Sequence, residues 1–204
     1  YSKIMWSNHY DRWAILLDRL NQNKIEKILV QHGIEELEYF PDIKLLNVNI
    51  VYYFGEYSRM WFSQNFVSNP NCLYLELEPN LKLSPTNDEA SKKHKILLIG
   101  QPDMPDKEVE IMRHLLNDQR DVCLYLKPHP LYPVTIYGDL SDLGINIIEQ
   151  KNFFPKVDLA INYYSTLGIE YEACGIPVIW HYNLEVEEVL NEVAKYLHKN
   201  STDA

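Results

Sequence analysis

With 204 residues, of which 46% are hydrophobic and 12% aromatic, the chain carries enough apolar material for a packed core, which excludes a disordered chain. A formal net charge of −10 argues against a nucleic-acid-binding surface, which is basic, yet leaves room for a local cationic pocket. Cys72, Cys123 and Cys174 are odd in number and scattered through apolar runs, so they read as buried thiols of a reducing compartment and not as a disulfide or zinc framework.

The chain opens on Tyr1 and soon enters an amphipathic helix, which reads as a fragment or a trimmed chain. Trp13, Leu16, Leu17 and Leu20 fall at i, i+3, i+4 and i+7, the spacing of a helix with one buried face. KILVQHG (27–33) is a short buried strand closed by glycine, and NVNIVYYFG (47–55) is a second. An aromatic, helix-like stretch at 56–66 follows, then a third strand at 72–77. The polar segment 78–95, with two prolines and a charge cluster, is the linker.

Beyond the linker the pattern restarts. KILLIGQP is a strand, 106–117 a helix with Val109, Met112 and Leu116 on one face, VCLYLKPHP a strand and INIIEQ (145–150) another. VDLAINYYS, a short helix, IPVIWHY and a final amphipathic helix marked by Val186, Val189, Leu190, Val193 and Leu197 complete the chain. Apolar strands alternating with helices predict an α/β fold with Rossmann-like, doubly wound parallel sheets. The expected division is a partial amino-terminal domain at 1–80, a second domain at 91–182, and a helix at 183–204 that crosses back onto the first. No apolar run approaches the roughly 20 residues of a membrane-spanning helix.

Ligands of such sheets bind beyond the carboxyl ends of the strands. Three of those ends stand out. In DVCLYLKPHPLYP two prolines stop a strand, because neither offers a backbone donor, and hold Lys127 and His129 on a stiff turn. In AINYYSTLGIEYEACGIPVIW a strand ends at Tyr164 and Ser165 or Thr166 caps the next helix, whose free N–H groups favour a phosphate. Gly168, in the first turn, admits a ligand to the backbone, Glu170 lies one turn on, and Gly175 with Pro177 ends the helix. From these residues alone an ordinary strand–helix–strand unit with a serine cap is an equal alternative. In VQHGIEELEYF, His32 ends a strand before Gly33, and an imidazole that titrates near neutrality suits a general base. A structural histidine fits three residues equally well. The aromatic run Tyr52, Tyr53, Phe54, Tyr57, Trp61 and Phe62 reads as core before it reads as a sugar platform.

The S-T-x-G-x-E-x-x-x-x-G-x-P-V-I run, preceded by K-P-H-P and Q-H-G, resembles the glycosyltransferases of the two-domain B-type fold. Within them it is similar to the group of CDP-glycerol glycerophosphotransferases, bacterial sialyl- and polysialyltransferases and capsule Kdo transferases. The resemblance implies a nucleotide-sugar donor domain in the second half and a reduced acceptor-side domain in the first. It implies that Lys127, His129, Ser165 and Thr166 bind the donor phosphate, that Glu170 holds the nucleotide ribose, and that His32 is the catalytic base. Gly33, Gly168 and Gly175 support these positions. The substrates implied are a nucleotide sugar, CMP- or CDP-linked, and a glycan acceptor of a cell-surface polysaccharide, with no cofactor and no metal. A cytoplasmic location follows, with peripheral association at the inner face of the membrane left open.

Three other readings use the same residues: an enzyme like the UDP-sugar 2-epimerases, a nucleotide-sugar-binding domain without catalysis, and a purely structural α/β module. No D-x-D pair, phosphate-binding G-x-x-x-x-G-K-[ST] loop or G-x-G-x-x-G run occurs, and the histidines outside the two motifs form no ligand-spaced cluster.

Overall fold

The short aliphatic and aromatic runs KILV, IVYY, KILLI, VCLYL and LAIN all fold as parallel strands, too apolar along their length for a sheet with a wet face. The computed structural model describes residues 3–7, 12–20, 25–33, 42–78, 80–86, 94–101, 103–118, 121–138 and 140–201. The chain divides into two compact units, Tyr1–Pro79 and Asn80–Ala204.

In the first unit, strands β1 (Lys3–Trp6), β2 (Glu26–Val30), β3 (Ile50–Tyr53) and β4 (Leu73–Glu76) pair in sequential order, all parallel. Helix α1 (Arg12–Arg19) links β1 to β2, and α2 (Gly55–Trp61) continues through a wider π turn at Phe62–Phe66 before β4. Trp6, Leu29, Val51 and Tyr53 from one sheet face meet Ala14 of α1 and the mutually packed rings of Trp61, Phe62 and Phe66. The aromatic run is therefore mostly core, although Tyr57 points to solvent. Strand β1 was not expected: four residues are too few to show a period.

The face that α1 buries differs from the one its spacing predicts. Ala14 and Asp18 are buried, while Trp13, Leu16 and Leu20 are exposed. A polar anchor outweighs the apolar stripe. The Asp18 carboxylate accepts from the backbone N–H groups of Leu46 (2.9 Å) and Asn47 (2.8 Å), and the buried Lys27 ammonium donates to the carbonyls of Asp18 and Leu20. Turning Asp18 outward would strand these groups, and an unpaired buried charge costs more than an exposed leucine.

The second unit has five parallel strands, β5 (His94–Ile99), β6 (Val122–Lys127), β7 (Asn146–Ile147), β8 (Leu159–Asn162) and β9 (Val178–Trp180), in the order β7-β6-β5-β8-β9. Helices α3 (Pro105–Asp118), α4 (Thr166–Ala173) and α5 (Val186–Ser201) complete it. The chain winds outward from the central β5 to β7, then crosses to β8 and winds the other way, which defines a doubly wound sheet. Two cores result. One packs Leu98, Leu126 and Ile161 against α3 and α5, and the other packs Leu97, Tyr125 and Ala160 against Tyr171 of α4.

Two expectations about domain limits change. The segment read as a linker is partly built into the second unit: Leu81 and Leu83 pack on its core, Ser84 pairs with the Phe154–Lys156 segment through N–H and carbonyl bonds of 2.7 Å, and Lys95 donates to Thr86 Oγ1 at 2.6 Å. The final helix belongs to the second unit. Val189, Val193 and Leu197 are buried in the second unit's own core against α3, so the apolar face that suggested a remote partner is satisfied locally. The cysteines also differ from expectation. Cys72 and Cys123 are half-buried and Cys174 is exposed, because it sits at the last turn of α4, its thiol directed at the Leu81 carbonyl. Among the described residues no helix is long and apolar enough to cross a membrane.

Candidate functional site

The registers of the second sheet place Ile99, Lys127, Asn162 and Trp180 level on adjacent strands. Gly100, Pro128, Tyr163 and His181 therefore start the loops on one rim. Pro128 and Pro130 end β6 as their chemistry requires, and the turn closes with Tyr132 N–H donating to the His129 carbonyl at 3.1 Å. The His129 ring lies edge-on to Tyr132, with centroids 5.7 Å apart. Its Nδ1 accepts a long bond, 3.4 Å, from Leu131 N–H, which leaves Nε2 to carry the proton of the neutral imidazole. Burial lowers its pKa, and Asp103, across the β5–α3 loop, opposes that shift.

Across the same rim, Ser165 caps α4 as its position predicts: its hydroxyl accepts from Leu167 N–H at 3.3 Å, and its carbonyl from Gly168 N–H at 3.0 Å. A cavity of about 570 Å³ opens here, a size typical of small-molecule sites. His129, Ser165, Thr166 and Glu170, taken from two distant motifs, all line it. Glu170 is half-buried, and its pKa is raised by desolvation. The remaining wall is largely apolar, with Pro128, Pro133, Val134, Ile148 and Phe154.

Lys127 lines the cavity but does not present its charge to it. Its ammonium donates to the carbonyls of Gln150 (2.9 Å), Lys151 (3.3 Å) and Phe153 (3.0 Å), and lies 4.8 Å from the centre of the Phe154 ring. An ammonium has three donors, and all three are engaged. The expected phosphate ligand is instead a clamp on the loop after β7, and burial lowers its pKa. The cation at the cavity is Lys151, exposed on the clamped loop, a residue the motifs gave no reason to single out.

Gly168 also has a different task from the one expected. It is buried, and a Cβ there would strike the Asn162 amide and come within 2.9 Å of the Trp180 ring. It admits packing, not a ligand. Asn162 is itself fully buried and donates to the Ser165 carbonyl at 2.9 Å, holding the cap of α4 from below. Its signal was legible as the lone polar residue of LAIN. Gly175 ends α4 at φ +79°, the left-handed conformation that favours glycine.

Two further buried groups surround the rim. Glu108 is fully buried in the first turn of α3, and both carboxylate oxygens accept from Gln101 N–H at 2.9 and 3.1 Å. Burial pushes its pKa up to about 8, outweighing the Gln101 bond and the neighbouring Tyr137 phenol. It shares the helix face of Met112 and Leu115, and an acid on an apolar face was its signal. His181 is fully buried after β9, its ring nitrogens without hydrogen-bond partners among the described residues, and its pKa falls to about 4.

His32 lies in the first unit, exposed, just beyond β2. Gln31 braces this turn from inside. Its amide donates to the Gly33 carbonyl and Ser58 Oγ, both at 2.8 Å, and accepts from Phe54 N–H at 2.6 Å. Gly33 takes φ +86°, open to glycine and strained for other residues. Among the described residues no hydrogen bond orients the His32 ring. The acidic stretch after Gly33, residues 34–41, lies outside the described residues.

No family model, curated protein or solved structure matches the chain. The chemistry of the cavity therefore rests on its own groups. The Nε2–H of His129, the amino end of α4 and Lys151 suit an anion. Glu170 is an acceptor for hydroxyls, and the apolar wall suits a flat ring.

Proposed function

We propose that the cavity of the second unit binds the nucleotide of an activated donor, and that the protein is a metal-independent transferase of the B-type glycosyltransferase class. The reading is carried by one observation: His129, Ser165, Thr166 and Glu170, from the K-P-H-P and S-T-x-G-x-E runs, line a single cavity. His129, the cap of α4 and Lys151 hold the phosphate, and Glu170 accepts from the ribose hydroxyls. Lys127 shapes the wall. The donor is a CMP- or CDP-linked sugar or glycerol, and the acceptor a hydroxyl of a cell-surface polysaccharide precursor.

In the transfer the acceptor oxygen forms a bond to the transferred group as the bond from that group to the nucleotide phosphate breaks. The nucleotide leaves with the electron pair, and its charge is stabilised by preorganised donors. The acceptor proton passes to a general base, assigned to His32.

Nucleotide binding without added metal tests the reading. CMP or CDP should raise the melting temperature, as any ligand selective for the folded state does. Protection by UDP alone would move the assignment to a UDP-sugar enzyme such as an epimerase, and protection by none would end it. His129→Ala should weaken nucleotide binding. His32→Ala should leave affinity unchanged and cut transfer by about 10²–10⁴-fold, the usual worth of a general base. If His32→Ala instead loses nucleotide affinity as heavily, the base assignment is wrong. A domain that binds nucleotide without transfer is the second reading, favoured by the lack of a hydrogen bond orienting the His32 ring among the described residues.

A further inference from the structure

The loop after β7 is held with unusual firmness for a surface connection. The Lys127 ammonium engages the carbonyls of Gln150, Lys151 and Phe153, and Ile148 N–H donates to the Leu126 carbonyl at 2.8 Å, just where the sheet ends. Glu149 stands between these anchors. It is exposed, lines the cavity, and its carboxylate has no hydrogen-bond or ion-pair partner among the described residues. Its backbone is thus fixed on both sides while its side chain is uncommitted, the arrangement of a group that meets a ligand and not of one that supports the fold.

We infer that Glu149 reads the base of the bound nucleotide, accepting a hydrogen bond from the exocyclic amine of cytosine and thereby rejecting uracil. The inference rests on the nucleotide reading of the cavity. In that reading His129 and the amino end of α4 fix the phosphate, and Glu170 takes the ribose. The part of the cavity left for the base is the Ile148–Glu149 rim and the Phe154 ring, an apolar surface beside one acceptor. The three neighbouring carbonyls are turned toward the Lys127 ammonium, so the side-chain acceptor that this rim offers the base is Glu149. An ionised carboxylate only accepts. Cytosine presents an amine donor where uracil presents a carbonyl, so one base pairs with Glu149 and the other sets two acceptors against each other.

Calorimetric titration of the full chain with CMP and UMP tests this. The unmodified protein should prefer CMP on the order of tenfold to a hundredfold, the value of one hydrogen bond to a charged group. Glu149→Ala should bring the two affinities within about threefold by weakening CMP, because the discriminating bond is gone. Glu149→Gln should level them too, since its amide can donate to the uracil carbonyl and strengthen UMP. Glu149 is exposed, so neither variant threatens the fold. A preference for CMP that persists in both variants, or a preference for UMP in the unmodified protein, overturns the inference while leaving the cavity a nucleotide site. Binding of neither nucleotide by the unmodified protein overturns the cavity reading, and the inference with it.

Discussion

Lys27 and Lys127 occupy equivalent settings and answer them differently. Each is buried on an interior strand of its unit and directs its ammonium to main-chain carbonyls, Lys27 to Asp18 and Leu20, Lys127 to Gln150, Lys151 and Phe153. Burial lowers the pKa of both. The counter-charge separates them. Lys27 has the buried Asp18, whose charge opposes the loss of the proton. Lys127 has only the face of Phe154. One lysine ties the carbonyls at the end of α1 within the field of the buried Asp18 carboxylate. The other is a lone cation stabilised by carbonyl dipoles and a ring, and it shapes a cavity wall. A lysine beside a histidine in a phosphate-like motif therefore need not touch phosphate.

The largest effect should come from removing the Lys27 ammonium. Lys27→Met strands the Asp18 and Leu20 carbonyls and removes a cation from the field of the buried Asp18, which keeps only Arg19 at 3.7 Å, and should lower stability by about 3–5 kcal/mol in urea unfolding. A loss of under about 1 kcal/mol would mean that Arg19 and the backbone N–H groups of Leu46 and Asn47 suffice for Asp18.

Glu108 sharpens the contrast, because it is a buried carboxyl with no cation and keeps its proton instead. Its carboxyl has a pKa of about 8 in the fold against 4.5 otherwise. Between those values the native state holds a proton that the unfolded chain has released. Stability from this group is thus complete below pH 4.5, falls as pH rises through 8, and is level above. Roughly 2–4 kcal/mol should be lost across that window. Glu108→Gln should flatten the slope, and a slope that survives in the variant must be assigned to another group.

Smallest in stability is Lys127→Met, expected to cost about 1–3 kcal/mol through three carbonyls left without their donor. Nucleotide affinity should decline with it as the rim loosens. Unchanged stability with abolished binding would show instead that the ammonium serves the ligand, and the comparison with Lys27 would collapse.

Much of this was legible in the sequence. The strands were, because fully buried parallel strands leave apolar runs bounded by Gly and Pro, as KILLIGQP and VCLYLKPHP do. The cap was too, since Ser165 precedes a helix at the end of such a run. What escaped was set by long-range polar contacts. Periodicity assigned the apolar face of α1 to the core, but Asp18 is tied to residues about thirty positions away (Leu46 and Asn47), and no local pattern encodes that. The motif made Lys127 a ligand, and only the path of the loop after β7 shows its three carbonyl partners. Glu149 and Lys151 lie on that loop, which carries no motif at all.

Gly100 sits at the end of the central strand β5, and a Cβ there would meet the hydroxyl of the buried Tyr137 and come within 2.9 Å of its Cζ. Removing the hydroxyl alone would not make room, because the ring carbon behind it is also too close. The two positions consequently form a lock for sequence drift. In any diverged copy of this chain, a side chain can enter at 100 only where the ring at 137 has shifted or been lost. Tyr137 in turn can be replaced by something smaller only where the void beside the buried Glu108 is filled from elsewhere. The central strand end is therefore the place where lineages of this fold would show paired substitution and not independent change.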